Sequence, residues 1–150
     1  DAFSAGIDRE QLALWQEFEK ETLVEPIFCE NPVSRILFGE QLYQLPEGMP
    51  DLSGLRVLRP GLHLGTIKKN RLEPAHALAL ALRPDQVRRS VDYPADSQEI
   101  RTYLGGGTLS CDPSEKGWVL ICVDGFSLGW AKATGGSLKN HYPKGLRIFS

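Results

Sequence analysis

The sequence predicts an α+β protein: a small mixed β-barrel with two short helices, preceded by a small acidic segment of mixed helix and strand. Three observations predict it. Trp118 to Val123 is a continuous apolar run, Asp124-Gly125 has the form of a two-residue hairpin turn, and a second run rich in apolar residues returns from Phe126. Strand and helix signals alternate upstream of that hairpin. Charge is divided along the chain: residues 1–52 carry eleven acids against three bases, a net of −8, and residues 53–150 carry fourteen bases against eight acids, a net of +6. The division suggests an acidic linker or docking segment over 1–52 and an anion-binding domain over 53–150. Acid-rich and base-rich faces that attract each other are the alternative account.

Residues 1–7 read as a ragged end. Asp8 and Gln11 have capping-box spacing and open a helix to about Leu23, with Leu12, Leu14, Trp15 and Phe18 on one broad face. That face docks on a core; stacking of Trp15 or Phe18 on bases is opposed by the surrounding acids. Arg35–Phe38 and Gln41–Leu45 are short apolar runs with a turn at Gly39-Glu40. Pro46, Gly48, Pro50 and Asp51 make a loop. Leu55–Arg59 alternates as a strand that Pro60-Gly61 ends.

Pro74–Leu82 is expected to be a short helix with Pro74 at its first position, apolar nearly all round and therefore buried. Val87–Tyr93 reads as a strand. Asp96 with Glu99 has capping-box spacing and opens a helix through Leu104. Gly105-Gly106-Gly107 stops it; no dinucleotide or P-loop pattern surrounds the three glycines. In the returning strand after Gly125, strict alternation places Phe126, Leu128, Trp130 and Lys132 on one face and Ser127, Gly129 and Ala131 on the other. Leu146–Phe149 forms a last short strand.

The chain has 150 residues, enough for one domain with a proper core or one domain plus a small appendage, and no apolar run reaches the roughly 18–20 residues that a membrane helix needs. No signal peptide is present, and the first residue is Asp rather than Met, which suggests a fragment or processed form. Cys29, Cys111 and Cys122 are odd in number and at no metal-ligand spacing from His63, His76 or His141, so reduced thiols in a cytoplasmic protein are the simplest expectation, with no metal.

Gly125–Arg147 contains Lys132, Lys139, Lys144, Arg147 and His141, the rings of Trp130 and Tyr142, and no Asp or Glu. Such a stretch suits a polyanion. Lys68, Lys69 and Arg71 form a second basic group, which is either a solvated turn or a phosphate contact. The expected RNA face is Arg59, Lys68, Lys69, Arg71, Lys132, Lys139, Asn140, Lys144 and Arg147, with Tyr142 as the base-stacking ring and Trp130 buried. Asn140 either bonds a base edge or caps its loop. The two basic groups, about sixty residues apart in sequence, make one patch only if the barrel brings them together.

The element order of strand, helix, strand, helix and further strands matches a PUA-type RNA-binding barrel. Three stretches carry a closer resemblance: Leu58–Gly65 (LRPGLHLG), Glu73–Leu80 (EPAHALAL), and Leu128–Lys132 (LGWAK) with Leu138–Arg147 (LKNHYPKGLR). Together they resemble the C-terminal part of the Sun/RsmF-type bacterial rRNA (cytosine-5) methyltransferases, from about Leu52 to the end, with residues 8–50 similar to the segment that joins the catalytic domain to the PUA-like domain. The resemblance implies a parent enzyme that uses S-adenosylmethionine to methylate cytosine in 16S rRNA. This chain has no glycine-rich methyl-donor loop after a strand and no Pro-Cys or Thr-Cys pair: Cys29 follows Phe28, Cys111 follows Ser110 and Cys122 follows Ile121. The implied role is therefore to bind 16S rRNA or the small ribosomal subunit, and to position substrate for a catalytic domain of the same polypeptide, with no cofactor or catalytic residue of its own and no DNA or membrane partner.

Two other classes remain. A small PUA-related enzyme acting on modified nucleosides requires a pocket that joins a carboxylate, a histidine and a lysine; Glu73, His76 and Lys132 are the candidates. A protein-interaction module of the ribosome-assembly machinery would use the acidic segment as its contact.

Overall fold

The structure is a computed structural model and describes residues 8–25, 35–44 and 61–148. The expected strand at 55–59, Arg59 within it, the loop at 46–51 and Cys29 lie outside the described residues.

Helix α1 (Arg9–Thr22) starts where the capping box places it: Gln11 N donates to Asp8 Oδ1 at 2.8 Å, and Asp8 N donates back to Gln11 Oε1 at 3.0 Å. Trp15 and Phe18 on its apolar face are buried. Strands β1 (Arg35–Phe38) and β2 (Gln41–Gln44) form the hairpin expected around Gly39-Glu40. The meander continues through β3 (Leu62–Ile67) and β4 (Leu72–Pro74), giving a four-stranded antiparallel sheet in chain order. Hydrogen bonding between β2 and β3 therefore runs across position 52, where the charge changes sign.

Pro74 closes β4 rather than opening a helix, and Ala75 is the N-cap of α2 (His76–Ala81). Proline is acceptable at the last position of this short strand because it has no amide hydrogen to leave unpaired. The helix also buries less than its composition suggests: Leu78 and Ala79 are buried, but Leu80 is 55% exposed, because only one side of so short a helix meets the sheets.

Strand β5 (Ser90–Tyr93) leads to α3 (Gln98–Leu104), whose cap is Ser97, one residue later than expected; its hydroxyl accepts from Ile100 N at 3.2 Å. Strand β6 (Leu109–Ser110), β7 (Gly117–Val123), β8 (Phe126–Thr134) and β9 (Ser137–Asn140) complete a five-stranded mixed sheet of order β5-β7-β8-β9-β6, in which only β5 and β7 run parallel. Together with its helices it forms the half-barrel of an α+β, PUA-like fold. Residues 144–146 form a 3-10 turn, so the expected last strand does not form within the described residues.

The β7–β8 turn is as the sequence requires: Asp124 and Gly125 both have positive φ, 49° and 86°, as a two-residue hairpin turn demands. Alternation along β8 is interrupted, however. Val123 pairs with Phe126 and Cys122 with Ser127, but Ile121 pairs with Gly129, so Leu128 is the extra residue of a β-bulge. The expected common face of Phe126, Leu128, Trp130 and Lys132 is thereby broken: Leu128 packs with Val119 and Ile121, Trp130 packs with Trp118 and Leu120, and Phe126 is 74% exposed.

Both faces of β7 are apolar because both are covered. Trp118, Leu120 and Cys122 face a cluster shared with Trp15 and Phe18 of α1, Leu42 and Leu64 of the first sheet, and Leu78 of α2. Val119 and Ile121 face Tyr103 of α3, Leu109 and Leu138. The C-terminal end of α1 is fixed to the segment before β5 by an isolated bridge between Leu23 and Val87, by Arg88 N donating to Thr22 O at 2.8 Å, and by Val24 N donating to Gln86 O at 3.0 Å.

Candidate nucleic-acid interface

The bulge at Leu128 determines what Lys132 faces. A regular hairpin turning at Asp124-Gly125 would set Lys132 opposite Gly117; one extra residue in β8 sets it opposite Trp118 instead. Lys132 Nζ lies 5.3 Å from the centre of the Trp118 ring, within cation–π range. His141 follows β9 and stands edge-on to the same ring, with centroids 4.7 Å apart. Its Nδ1 is 3.4 Å from Glu73 Oε2 on β4, and the other carboxylate oxygen, Oε1, is 3.8 Å from Lys68 Nζ in the β3–β4 turn.

Lys132 and Lys139 are direct cross-strand partners on β8 and β9. Like charges in that position repel. Neither takes part in an ion pair among the described residues, and both act on His141. The structure thus joins Lys68 to His141 through one carboxylate and His141 to Lys132 through one indole, with Lys139 opposite Lys132. Lys69 and Arg71 are exposed in the β3–β4 turn, and Lys144 is exposed in the turn after Pro143.

The other expected contacts are engaged elsewhere. Asn140 donates through Nδ2 to Tyr103 O and to Gly107 O, each at 2.9 Å, and accepts at Oδ1 from Tyr142 N at 2.8 Å. Of its two readings, this is the loop cap. Tyr142 is half-buried, its ring 5.3 Å from that of Tyr103 and 5.5 Å from that of His76. Arg147 Nε donates to Tyr142 O at 3.1 Å, and its side chain lies over Gly106. Tyr142 and Arg147 are therefore held against Tyr103 and Gly106 rather than against Trp118. Trp130 is buried, as expected, with Nε1 donating to Ala75 O at 3.0 Å.

Of the residues considered for an enzyme pocket, Glu73 and Lys132 share the cluster through His141 and Trp118, while His76 packs edge-on against Tyr142 with its Nδ1 buried and unpartnered. Gly105–Gly107 follow a helix, and the Arg147 side chain covers Gly106, so these glycines do not form a methyl-donor cradle.

Trp118, His141 and Glu73 did not enter the expected RNA face. His141 was visible in the basic stretch, but no sequence pattern places Glu73 beside it, because β4 and β9 belong to different sheets.

Burial holds His63, His76 and His141 below the ordinary histidine value. For His63 a hydrogen bond to Gly65 O acts in the opposite direction. For His141, Lys139 and Lys132 add to the lowering, while Glu73 opposes it. The unfolded chain consequently takes up protons first as pH falls. Folding stability should be fully present above about pH 6.5, the unperturbed histidine value, and should decline below it as the folded values are approached. The urea midpoint is expected to be lower at about pH 5.5 than at about pH 7.5.

Residues 17–82 match the family model described as the RsmF rRNA methyltransferase first C-terminal domain, and residues 90–148 match the one described as the methyltransferase RsmF PUA domain. Among curated proteins the chain is similar to ribosomal RNA small subunit methyltransferase F of Shewanella oneidensis, 28% identical over 110 residues. It is also similar to the proteins of that name from Shewanella putrefaciens and Shewanella sp. W3-18-1, each 30% identical over 113 residues. Each alignment covers 71% of this chain and 23% of the relative, so the chain spans about a quarter of the length of the curated relatives it matches.

Proposed function

Because the chain belongs to the C-terminal region of the RsmF rRNA methyltransferase family, we propose that it binds rRNA and positions it for a methyltransferase domain located in the part of the relatives that it does not span. The observation that carries this reading is the cross-strand pair Lys132 and Lys139, which acts on His141 beside the Lys68–Glu73 contact. A protein keeps two lysines opposed in this way at a loss of stability. A polyanion laid across them turns that repulsion into attraction. In this reading Lys68, Lys132 and Lys139 take phosphates, and Lys69, Arg71 and Lys144 extend the positive field; Arg59 is assigned to the same role by its charge alone.

The partner is 16S rRNA, alone or within the small ribosomal subunit, and the setting is the cytoplasm. The methylated base is cytosine at C5, and the donor, S-adenosylmethionine, belongs to the catalytic domain, which is the second partner. Segment 1–52, at net −8, is the docking element for that domain, since an acidic surface is repelled by RNA.

The test is fluorescence anisotropy of a labelled single-stranded 16S rRNA fragment titrated with this chain at several salt concentrations. Affinity should fall steeply with salt. Lys132→Ala with Lys139→Ala should weaken binding about tenfold at low salt and reduce the log–log salt slope by about 1.4, roughly 0.7 for each phosphate that no longer meets a lysine. Binding that ignores both salt and these substitutions would sink the proposal.

A further inference from the structure

We propose that Glu73 is a built-in competitor for RNA phosphate: its carboxylate holds Lys68 and His141 in the free protein and releases them when RNA binds. The inference rests on the RNA-binding reading and adds to it a residue that sets the threshold for binding.

Geometry carries the argument. The Glu73 carboxylate approaches Lys68 Nζ at 3.8 Å and His141 Nδ1 at 3.4 Å. Charge-assisted hydrogen bonds close to about 2.7–2.9 Å when they are made to hold. These two contacts are looser, as befits a counter-ion that exchanges. All three side chains are accessible, at 40% for Lys68, 33% for Glu73 and 22% for His141. The backbone beneath Glu73 is held by its pairing with Thr66 in the β3–β4 ladder, so its carboxylate can let go of both partners by side-chain rotation.

Charge carries the rest. The groups facing His141 are Glu73 from β4, Lys132 from β8 and Lys139 from β9, with Lys68 on the far side of the carboxylate. Glu73 is the one acid in contact with this group among the described residues. It stands where a phosphate oxygen bridging Lys68 and His141 would stand. A weak or sparse anion cannot displace it. An RNA backbone that also engages Lys132 and Lys139 can, since each further contact releases counter-ions and adds to the exchange.

The experiment measures binding of the same single-stranded 16S rRNA fragment to the full chain and to Glu73→Gln. The amide keeps the size of the side chain and removes its charge. Glu73→Gln should bind about three- to tenfold more tightly, with a salt slope steeper by about 0.7, because one more cation becomes available to phosphate. In a Lys68→Ala background the gain should shrink to about twofold or less. Wild-type binding with no gain in Glu73→Gln, or a loss, overturns the proposal and leaves the RNA reading standing. A gain undiminished by Lys68→Ala also overturns it, since Glu73 would then act as bulk charge. No binding by either protein at low salt overturns the RNA reading, and the proposal with it.

Discussion

Trp130→Ala should lower the unfolding free energy by about 3–5 kcal/mol, the range for truncating a buried large aromatic side chain. Trp130 is 1% exposed and is among the largest fully buried side chains. It sits where three parts of the structure meet: its ring is 6.0 Å from Phe18 of α1 and 6.2 Å from Trp118 of β7, and its Nε1 donates to Ala75 O at the cap of α2. Alanine would open a cavity among all three and remove one of the donors to that carbonyl, which keeps the first-turn amides of α2. The rigid strand beneath cannot collapse to fill the space. Urea denaturation followed by far-UV circular dichroism reads the loss as a fall in midpoint. Trp130→Phe should recover most of the packing but not the hydrogen bond, and so fall between. A Trp130→Ala protein within about 1 kcal/mol of wild type would mean that this cluster does not join the two sheets.

Asn140→Ala should cost about 2–4 kcal/mol of stability through a different route. One side-chain amide satisfies Tyr103 O, Gly107 O and Tyr142 N together, which ties the end of α3, the glycine loop and the chain after β9 into one knot. Alanine leaves Gly107 O and Tyr142 N without that partner, while Tyr103 O keeps Gly106 N and loses one bond, at about 1 kcal/mol for each lost bond or somewhat more. The same variant separates the loop cap from base recognition. With both Nδ2 hydrogens donated and Oδ1 accepting from Tyr142 N, Asn140 has no donor left for a base edge, so rRNA affinity measured where the variant is folded should change by less than about twofold. A tenfold loss, or about 1.4 kcal/mol, would restore the base-edge reading.

Local chemistry made much of the fold readable in the sequence. The α1 start follows from Asp8 and Gln11, which sit three residues apart and bond each other, and the β7–β8 turn follows from Asp124-Gly125, which accepts positive φ. Each of these is decided within four residues. The misreadings fall where distant chain decides. Pro74 looks like a helix start until β3 pairs with β4, and Leu80 looks buried until the sheets are seen to cover only one side of α2. The bulge at Leu128 leaves no residue signature except Gly129 beside it, where a β-carbon would run into the Tyr103 hydroxyl. That close approach is set by α3, about 25 residues earlier in the chain.

The basic residues of the candidate site were legible as composition, but their grouping was not. Lys132 and Lys139 are neighbours through hairpin register, which a two-residue turn nearly specifies. Lys68 and His141 are neighbours through Glu73, which depends on how two sheets meet and has no sequence pattern. The split reading of Asn140 and the unforeseen contact of Arg147 with Tyr142 O have one cause. A polar side chain in a loop near glycines serves solvent, backbone or ligand equally well by its chemistry, and only its neighbours determine which.

The bridge between Leu23 and Val87, with its flanking backbone bonds, lies beside the joint between the two matched family segments, 17–82 and 90–148. A joint held on both sides transmits torque instead of absorbing it. The end of the acidic helix is thereby tied to the segment that leads into β5 and so to the mixed sheet that carries Lys132 and Lys139. If the helix is gripped by a catalytic domain, a rotation there of a few degrees sweeps the lysine-bearing edge through a proportional arc, so that where the RNA lies is decided by how the helix is held.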